Sequence, residues 1–376
     1  MDSTVLNLVA QVISKSDRAH PADAVLRQEM RTQHGATRAQ ATEISRLVFS
    51  YYRWLGWLDE RQELSARLLQ AADLAENFAH RPQDFSDREL TQRSVPAWIG
   101  EEIEIIPEFA RALQTEPRLW LRARPGEGAS LAKALRHCQV LGNGILSDTL
   151  AYHGREDLFQ SPQFHAGAFE LQDVSSQAVG WLCSPHPGQT WWDCCAGEGG
   201  KLLHLSDLMR NQGLIWASDR AQWRLRKLKR RAARARVFNY RAELWDGGAR
   251  LPTKTRFDGV LLDAPCSGTG TWQRNPHARW TLVREDIKEL ADLQLRLLRH
   301  AASAVKPGGQ IFYSVCSLAR SETIGVVEGF EKAVPGFVPI RLTNPLVPGN
   351  GETEVLFLWP QQVNGNGMFV AGWTRE

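Results

Sequence analysis

The sequence predicts a multidomain chain: an all-α N-terminal domain, a small α/β insert, and a C-terminal α/β domain on a mostly parallel, doubly wound sheet. Three observations carry this. Apolar residues recur at helical spacing through roughly the first hundred residues, strand and helix patterns alternate from Thr190 onward, and several of those later strands run out in acids or cysteines. At 376 residues the chain exceeds one small domain, and 43% hydrophobic against 23% charged residues suffices for ordinary packed cores.

Composition excludes several classes. No apolar run approaches the roughly 20 residues of a membrane span. The first residues, with Asp2 and an amphipathic pattern, lack a signal peptide's basic and apolar regions, so a cytoplasmic protein is expected. Six cysteines, at 138, 183, 194, 195, 266 and 316, form no CxxC pair, so neither a disulfide scaffold nor a metal site is expected. The net charge of +3 says little, and the fourteen scattered tryptophans read as packing residues.

In chain order, Val5, Leu8, Val9, Val12 and Ile13 define a first helix face, and Ile44, Leu47, Val48, Tyr51, Leu55 and Leu58 a second. Leu64 and Leu68 begin another helix, and Val95, Trp98, Ile99, Ile103 and Ile106 supply a further apolar face. Residues 1–112 therefore read as a helical domain, in which Arg38, Arg46 and Arg53 lie off the apolar stripe as a solvated face or as phosphate contacts. Residues 116–172 read as a small α/β (RRM-like) subdomain. Leu119–Arg124 is extended, Leu131, Leu135 and Cys138 return to helical spacing, and a short strand precedes Asp173. Trp120 beside Arg122 and Arg124 suits either single-stranded RNA or a structural role.

Residues 173–376 form the doubly wound part. Its strands are expected at 191–193, 214–219, 236–240, 259–263, 310–314, 354–359 and 368–373. The last two flank QQVNGNG, whose Asn-Gly steps favour a hairpin, so the sheet should finish in an antiparallel edge pair. Seven strands ending this way resemble the S-adenosylmethionine-dependent methyltransferase fold.

WWDCCAGEGGK, from Trp191 to Lys201, is a strand, a small-residue loop and a helix start. Its glycines allow tight turning and close approach to a ligand, and the amides opening the helix attract anions. The spacing fits neither GxGxxG nor the phosphate loop of nucleotide hydrolases. About 20 residues on, Asp219 ends the next strand where a ribose-binding acid belongs. These features together predict a nucleoside cofactor.

FDGVLLDAPCSGTG, from Phe257 to Gly270, is a buried strand that delivers Asp263 and Cys266 to a rim, and GGQIFYSVCSL delivers Cys316 to the same edge. Two thiols on neighbouring strand ends beside a nucleoside site suggest covalent chemistry. A thiolate adding to carbon 6 of a cytosine makes carbon 5 enamine-like and able to take a methyl group. A second thiol or a water then serves the loss of the carbon 5 proton, and Asp263 is placed to bind the base's polar edge.

DAPCSGTGTWQRNP, YSVCSL, CCAGEGGK and VSSQAVG together resemble the Sun/Nop family of RNA 5-cytosine methyltransferases, and RLVFSYYRWLGWLD resembles the NusB-like domain of its bacterial ribosomal-RNA branch. The resemblance implies Cys316 as nucleophile, Cys266 as the thiol that helps release product, and Lys201 near the methyl donor and target base. It also implies S-adenosylmethionine contacts from Cys195, Ala196, Gly197, Glu198, Gly199, Gly200 and Lys201, ribose binding by Asp219, and a cofactor or base contact by Asp263. The implied substrate is RNA, ribosomal rather than transfer RNA, and no stable protein partner is implied. A catalytically degenerate assembly factor is the alternative from another class.

Some positions depart from the family pattern. Gly197 and Glu198 replace Ala and Pro, Val315 stands for Thr, and Thr323 stands for Asn. Arg241 occupies the place expected for an acid reading the adenine amino group, which leaves Glu243 or Asp246 as substitutes. RLRKLKRRAARAR, from Arg224 to Arg236, carries eight basic residues and reads as a phosphate-binding surface with one side buried through Leu225 and Leu228. A target base must leave its stack to meet Cys316, past an entrance expected at Trp272, Arg274, Asn275 and Pro276.

Overall fold

The structure, a computed structural model, describes residues 3–32, 37–347, 349 and 351–376. The chain divides into two compact units, Met1–Pro117 with Gly268–Asp286, and Arg118–Ser267 with Ile287–Glu376.

The first unit is helical, as its spacing predicted. Helices span Ser3–Lys15, Ala22–Thr32, Arg38–Arg53, Leu64–His80, Asp87–Arg93, Pro107–Gln114 and Pro276–Thr281. Thr37 and Gln40 close a capping box at the start of Arg38–Arg53, and that helix buries Ile44, Leu47, Val48 and Tyr51. The apolar face expected over 95–106 is not one α-helix. Ala97–Glu101 is a 3₁₀ turn, and Ile106 is extended because Pro107 disfavours the helical region for the residue before it.

Arg53 does not face RNA. It is buried, donates to the Gln273 carbonyl at 3.1 Å, and burial lowers its guanidinium to about 10. Arg279, also buried, donates to the carbonyls of Ser94 at 2.6 Å, Leu113 at 3.1 Å and Trp272 at 3.3 Å. The segment 268–286 is thus tied into the helical core by backbone carbonyls, and at its end by the Arg284–Glu101 pair at 2.5 Å and an Arg18–Asp286 ion pair. Trp272 is fully buried and Pro276 is buried at a helix start, so neither is an exposed entrance residue.

The second unit holds two sheets. The smaller comprises β1 (Leu119–Ala123), β2 (Cys138–Val140), β3 (Thr149–Tyr152) and β4 (Phe169–Leu171) in the order β2-β3-β1-β4, with antiparallel pairing. Cys138 opens a strand and does not continue the preceding helix, Gly128–Leu135. Trp120 is buried and donates to the Asn364 carbonyl at 2.8 Å, while Arg122 is buried in an ion pair with Asp207, which also takes Arg124 at 2.6 Å. The aromatic and basic pattern of β1 is therefore structural. From Arg118 the insert groups with the larger sheet in this unit, with a sheet and an apolar core of its own.

The larger sheet comprises β5 (Thr190–Asp193), β6 (Leu214–Asp219), β7 (Tyr240–Leu244), β8 (Phe257–Asp263), β9 (Val305–Val315), β10 (Phe337–Pro339), β11 (Val355–Leu358) and β12 (Met368–Arg375). Its order is β10-β12-β9-β8-β5-β6-β7 with β11 also on β12, parallel from β7 through β9 and antiparallel beyond. Successive side chains point to opposite faces. Trp191, Ala217, Leu261 and Phe312 enter one core, and Trp192, Trp216, Leu262 and Tyr313 the other. Gly259 leaves room for Trp191, whose ring lies 2.3 Å from where a Cβ would stand.

Three expectations for this sheet need correction. β7 begins at Tyr240, the last residue of the stretch assigned to it, because the helix Gln222–Arg234 stops just before that stretch and Arg236 turns left-handed, with φ 55°. β12 is not at an edge, since β9 flanks one side of it and β10 and β11 share the other. The link from β11 to β12 also contains a helical turn, Pro360–Val363, ended by Asn364 in the left-handed region. No helix among the described residues is long and apolar enough to cross a membrane.

Candidate active site

The carboxyl ends of β5, β6, β8 and β9 open onto a cavity of about 470 Å³. Ligands gather at this edge of a doubly wound sheet. Of the residues singled out from the sequence, Cys195, Ala196, Gly197, Glu198, Gly200, Lys201, Asp219, Asp263, Cys266 and Cys316 line the cavity. Gly199 does not. It caps the helix Gly200–Leu208 with φ 89°, and a Cβ there would meet Leu228 at 2.8 Å.

The loop after β5 is built by backbone bonds. The Ala196 amide reaches Ser218 O at 2.8 Å and the Gly199 amide reaches Ala196 O at 2.8 Å. Asp219 fastens it from β6, accepting the Gly197 amide at 3.1 Å and the Ala221 amide at 2.8 Å. The departure at Glu198 is locally compensated. Lys227 pairs with its carboxylate at 2.7 Å, and Arg231 donates to its carbonyl at 3.2 Å.

The dense basic helix is therefore partly occupied within the molecule. Besides Lys227, its Arg231 and Arg234 clasp the buried Glu170 at 2.8 and 2.5 Å, and Arg224 lies 3.7 Å from Asp219. Arg224, Arg226, Lys227, Lys229, Arg230 and Arg236 are exposed, so most of the expected phosphate-binding surface still faces outward.

The structure separates the two candidates for the missing acid. Arg241 lies on β7 over the Trp216 ring and outside the cavity, and Glu243 is on the same strand. Asp246, after the strand, lines the cavity with Trp245 and Gly247. The four-residue displacement of β7 explains why Arg241 had seemed to take the acid's place.

Asp193 was missed, although WWDCC ends a strand in an acid just as IWASD and VLLDA do. It is fully buried, lines the cavity, and neither carboxylate oxygen has a close hydrogen-bond partner among the described residues beyond the weak approach of the Leu202 amide. Burial pushes its carboxyl up to about 8, Asp263 and Asp219 adding to the rise and Lys201 and the Leu202 amide opposing it.

On the β8 and β9 side of Asp193, Lys201 Nζ lies 2.7 Å from Asp263 Oδ2, and the Ser314 hydroxyl donates to Asp263 Oδ1 at 3.0 Å. Burial opposes the charge on Lys201, yet Asp263, Cys316 and Asp193 hold its ammonium above its ordinary value. Cys266 Sγ and Cys316 Sγ stand 3.3 Å apart. Burial first and neighbouring negative charge second push the thiols of Cys183, Cys194 and Cys195 up.

The cavity fits S-adenosylmethionine. Acids outnumber bases on its wall, with Asp193, Glu198, Asp219, Asp246 and Asp263 against Lys201, Arg220 and Arg224. The sparsely partnered Asp193 suits a ligand carrying ammonium and sulfonium charge, and Asp219 sits at the strand end that serves ribose hydroxyls.

A glycine-turned loop after the first strand of a parallel sheet, a strand-end acid beside it, and an antiparallel β12 against β9 define an S-adenosylmethionine-dependent methyltransferase. Within that class the chain belongs to the 16S rRNA methyltransferase RsmB/F family, whose sequence profile matches residues 181–374. A probable ribosomal RNA small subunit methyltransferase B of Bacillus subtilis is 36% identical over 310 residues, covering 77% of this chain and 68% of that protein. One from a Synechocystis strain is 36% identical over 220 residues, 56% of this chain and 49% of that protein, so the match spans about half its length. A solved methyltransferase homologue from Pyrococcus horikoshii is similar over 72% of this chain and 90% of its own, with 26% identity and a TM-score of 0.59.

Proposed function

We propose that this chain methylates carbon 5 of a cytosine in small-subunit ribosomal RNA through a covalent adduct on Cys316. The observation that carries this reading is the 3.3 Å approach of Cys316 and Cys266 beside the Lys201–Asp263 pair, on the wall of the cofactor cavity. The family membership and the names of the relatives support the ribosomal substrate. Bound S-adenosylmethionine supplies the methyl group.

The protein's residues perform the rest. The Cys316 thiolate adds to carbon 6 of the base and sends the carbon 5–carbon 6 electron pair toward carbon 5, which becomes the methyl acceptor. Asp263, held by Lys201 and Ser314, is placed to bind the polar edge of the base and favour this addition. Release then removes the carbon 5 proton to Cys266 or a water, re-forms the double bond, and returns the carbon–sulfur pair to Cys316. Four cavity acids would hold the cofactor: Asp193 and Asp263 near its cationic end, Asp219 at the ribose and Asp246 at the base. The NusB-like reading of the helical unit belongs to this proposal and assigns it RNA binding.

The test is transfer of label from S-adenosylmethionine to naked small-subunit ribosomal RNA by the native chain, Cys316→Ala and Cys266→Ala. Label lost with Cys316→Ala, and a protein–RNA adduct accumulating in Cys266→Ala, are the expected results. Label that survives Cys316→Ala would overturn the covalent step. Transfer to transfer RNA alone would move the substrate, and RNA binding with no transfer to either RNA would leave the degenerate assembly factor.

A further inference from the structure

We propose that Glu322 is a positioning residue that sets the spacing of the two thiols, its buried carboxylate joining the turn of Cys266 to the turn of Cys316. This rests on the two-cysteine reading above and adds a residue that does not touch the base.

The paired register of β8 and β9 ends at Asp263 and Ser314, with one further bond from the Ala264 amide to Ser314 O at 2.9 Å. Both thiols lie beyond that ladder, where something else must fix their separation. Glu322 sits fully buried in the 3₁₀ turn Arg320–Glu322. Its Oε1 accepts the Ser267 amide at 2.9 Å and Gln294 Nε2 at 2.8 Å. Its Oε2 accepts the Ser317 hydroxyl at 2.6 Å and the Ser267 hydroxyl. Ser267 and Ser317 each directly follow a cysteine, and their own hydroxyls are 3.3 Å apart.

The bracket has a second layer. Gln294, from the helix Arg284–Ala302, also donates to Pro265 O at 2.9 Å, and the Tyr313 hydroxyl lies 2.6 Å from Glu322 O and 2.9 Å from Gln294 Oε1. A carboxylate is costly to bury, and four donors converging on it offset that cost while fixing its position. Burial raises its carboxyl, and the Ser267, Ser317 and Gln294 bonds oppose the rise.

Only one catalytic step needs both sulfurs. Attack on carbon 6 uses Cys316 alone, whereas release needs the carbon 5 proton taken up as Cys316 leaves. A slackened bracket therefore slows release more than attack, and adduct accumulates as it should in Cys266→Ala.

The test uses the full chain with Glu322→Ala, Glu322→Gln and the pair Ser267→Ala/Ser317→Ala, melted first to establish folding. Phenylarsine oxide, whose arsenic bridges two close thiols, reports the spacing without RNA or cofactor, with Cys266→Ala as the control that abolishes bridging. Loss of hydrogen bonds to a buried carboxylate predicts bridging slowed about tenfold in Glu322→Ala and a matching rise in trapped adduct. Glu322→Gln should fall between, since its amide keeps one acceptor and the serine hydroxyls can turn to accept. A folded Glu322→Ala with native bridging and native adduct partition would overturn the proposal; if it does not fold, the double serine variant decides by the same two readouts. Slowed bridging in a protein that methylates no RNA would uphold the bracket while the functional reading fell.

Discussion

The two halves of the cavity are built on opposite terms. Around β8 and β9 every functional group described is already engaged by protein: Asp263 takes Lys201 and Ser314, and Glu322 takes four donors. Around β5 the central acid, Asp193, is buried with only the weak approach of the Leu202 amide among the described residues. On the proposed function, the half that would place reacting atoms is preorganised, because misplacement by an ångström is expensive in rate. The half that would bind the cofactor carries an acid that the protein leaves largely unsatisfied.

The sharpest way to break this contrast is Asp193→Asn. A carboxyl raised from 3.8 to about 8 keeps its proton in the folded state while the unfolded chain releases it. Stability is therefore lost progressively as pH rises from about 4 to about 8, at about 1.4 kcal/mol for each pH unit in that window. Melting from pH 5 to pH 9 should show the native protein falling relative to Asp193→Asn, with S-adenosylmethionine narrowing the gap. Parallel curves would mean that Asp193 is satisfied without ligand.

A smaller effect is expected at the cavity's base-binding end. Asp246→Ala should weaken S-adenosylmethionine binding about tenfold, as loss of a charged hydrogen bond does, with Glu243→Ala unchanged. Calorimetric titration distinguishes them, and the reverse result would return the role to β7. The smallest effect belongs to Lys227→Ala. Its pair with Glu198 is half exposed, and such pairs contribute about 0–1 kcal/mol. Cofactor affinity should change less than about threefold, and a larger change would show Glu198 acting on the cofactor directly.

What the sequence made legible was whatever depends on strand ends and turns. Asp219, Asp263, Cys266 and Cys316 all reached one cavity because strand, small-residue turn and reactive side chain are contiguous in the chain. Charges decided by distant partners were not legible. Arg53, Arg122 and Arg231 read as solvated or RNA-facing, yet their partners Gln273, Asp207 and Glu170 lie 220, 85 and 61 residues away. β7 was misplaced because RVFNY has the β-branched and aromatic character of a strand, while the basic helix before it extends to Arg234. Glu322 gave no local signal, since its importance lies in four donors from three separate segments.

The excursion Gly268–Asp286 has a consequence for how such a protein can change over time. The chain leaves β8 at Asp263, passes into the helical unit after Ser267, folds its next nineteen residues there, and returns along the helix Arg284–Ala302. The helical unit is thus interleaved with the catalytic sequence. A recombination event that exchanged residues 1–117 for a foreign module would strand Arg279 and Trp272 without the carbonyls and core that bury them. Inheritance of residues 1–117 is therefore coupled to that of the excursion, and substitutions in one are filtered by the other.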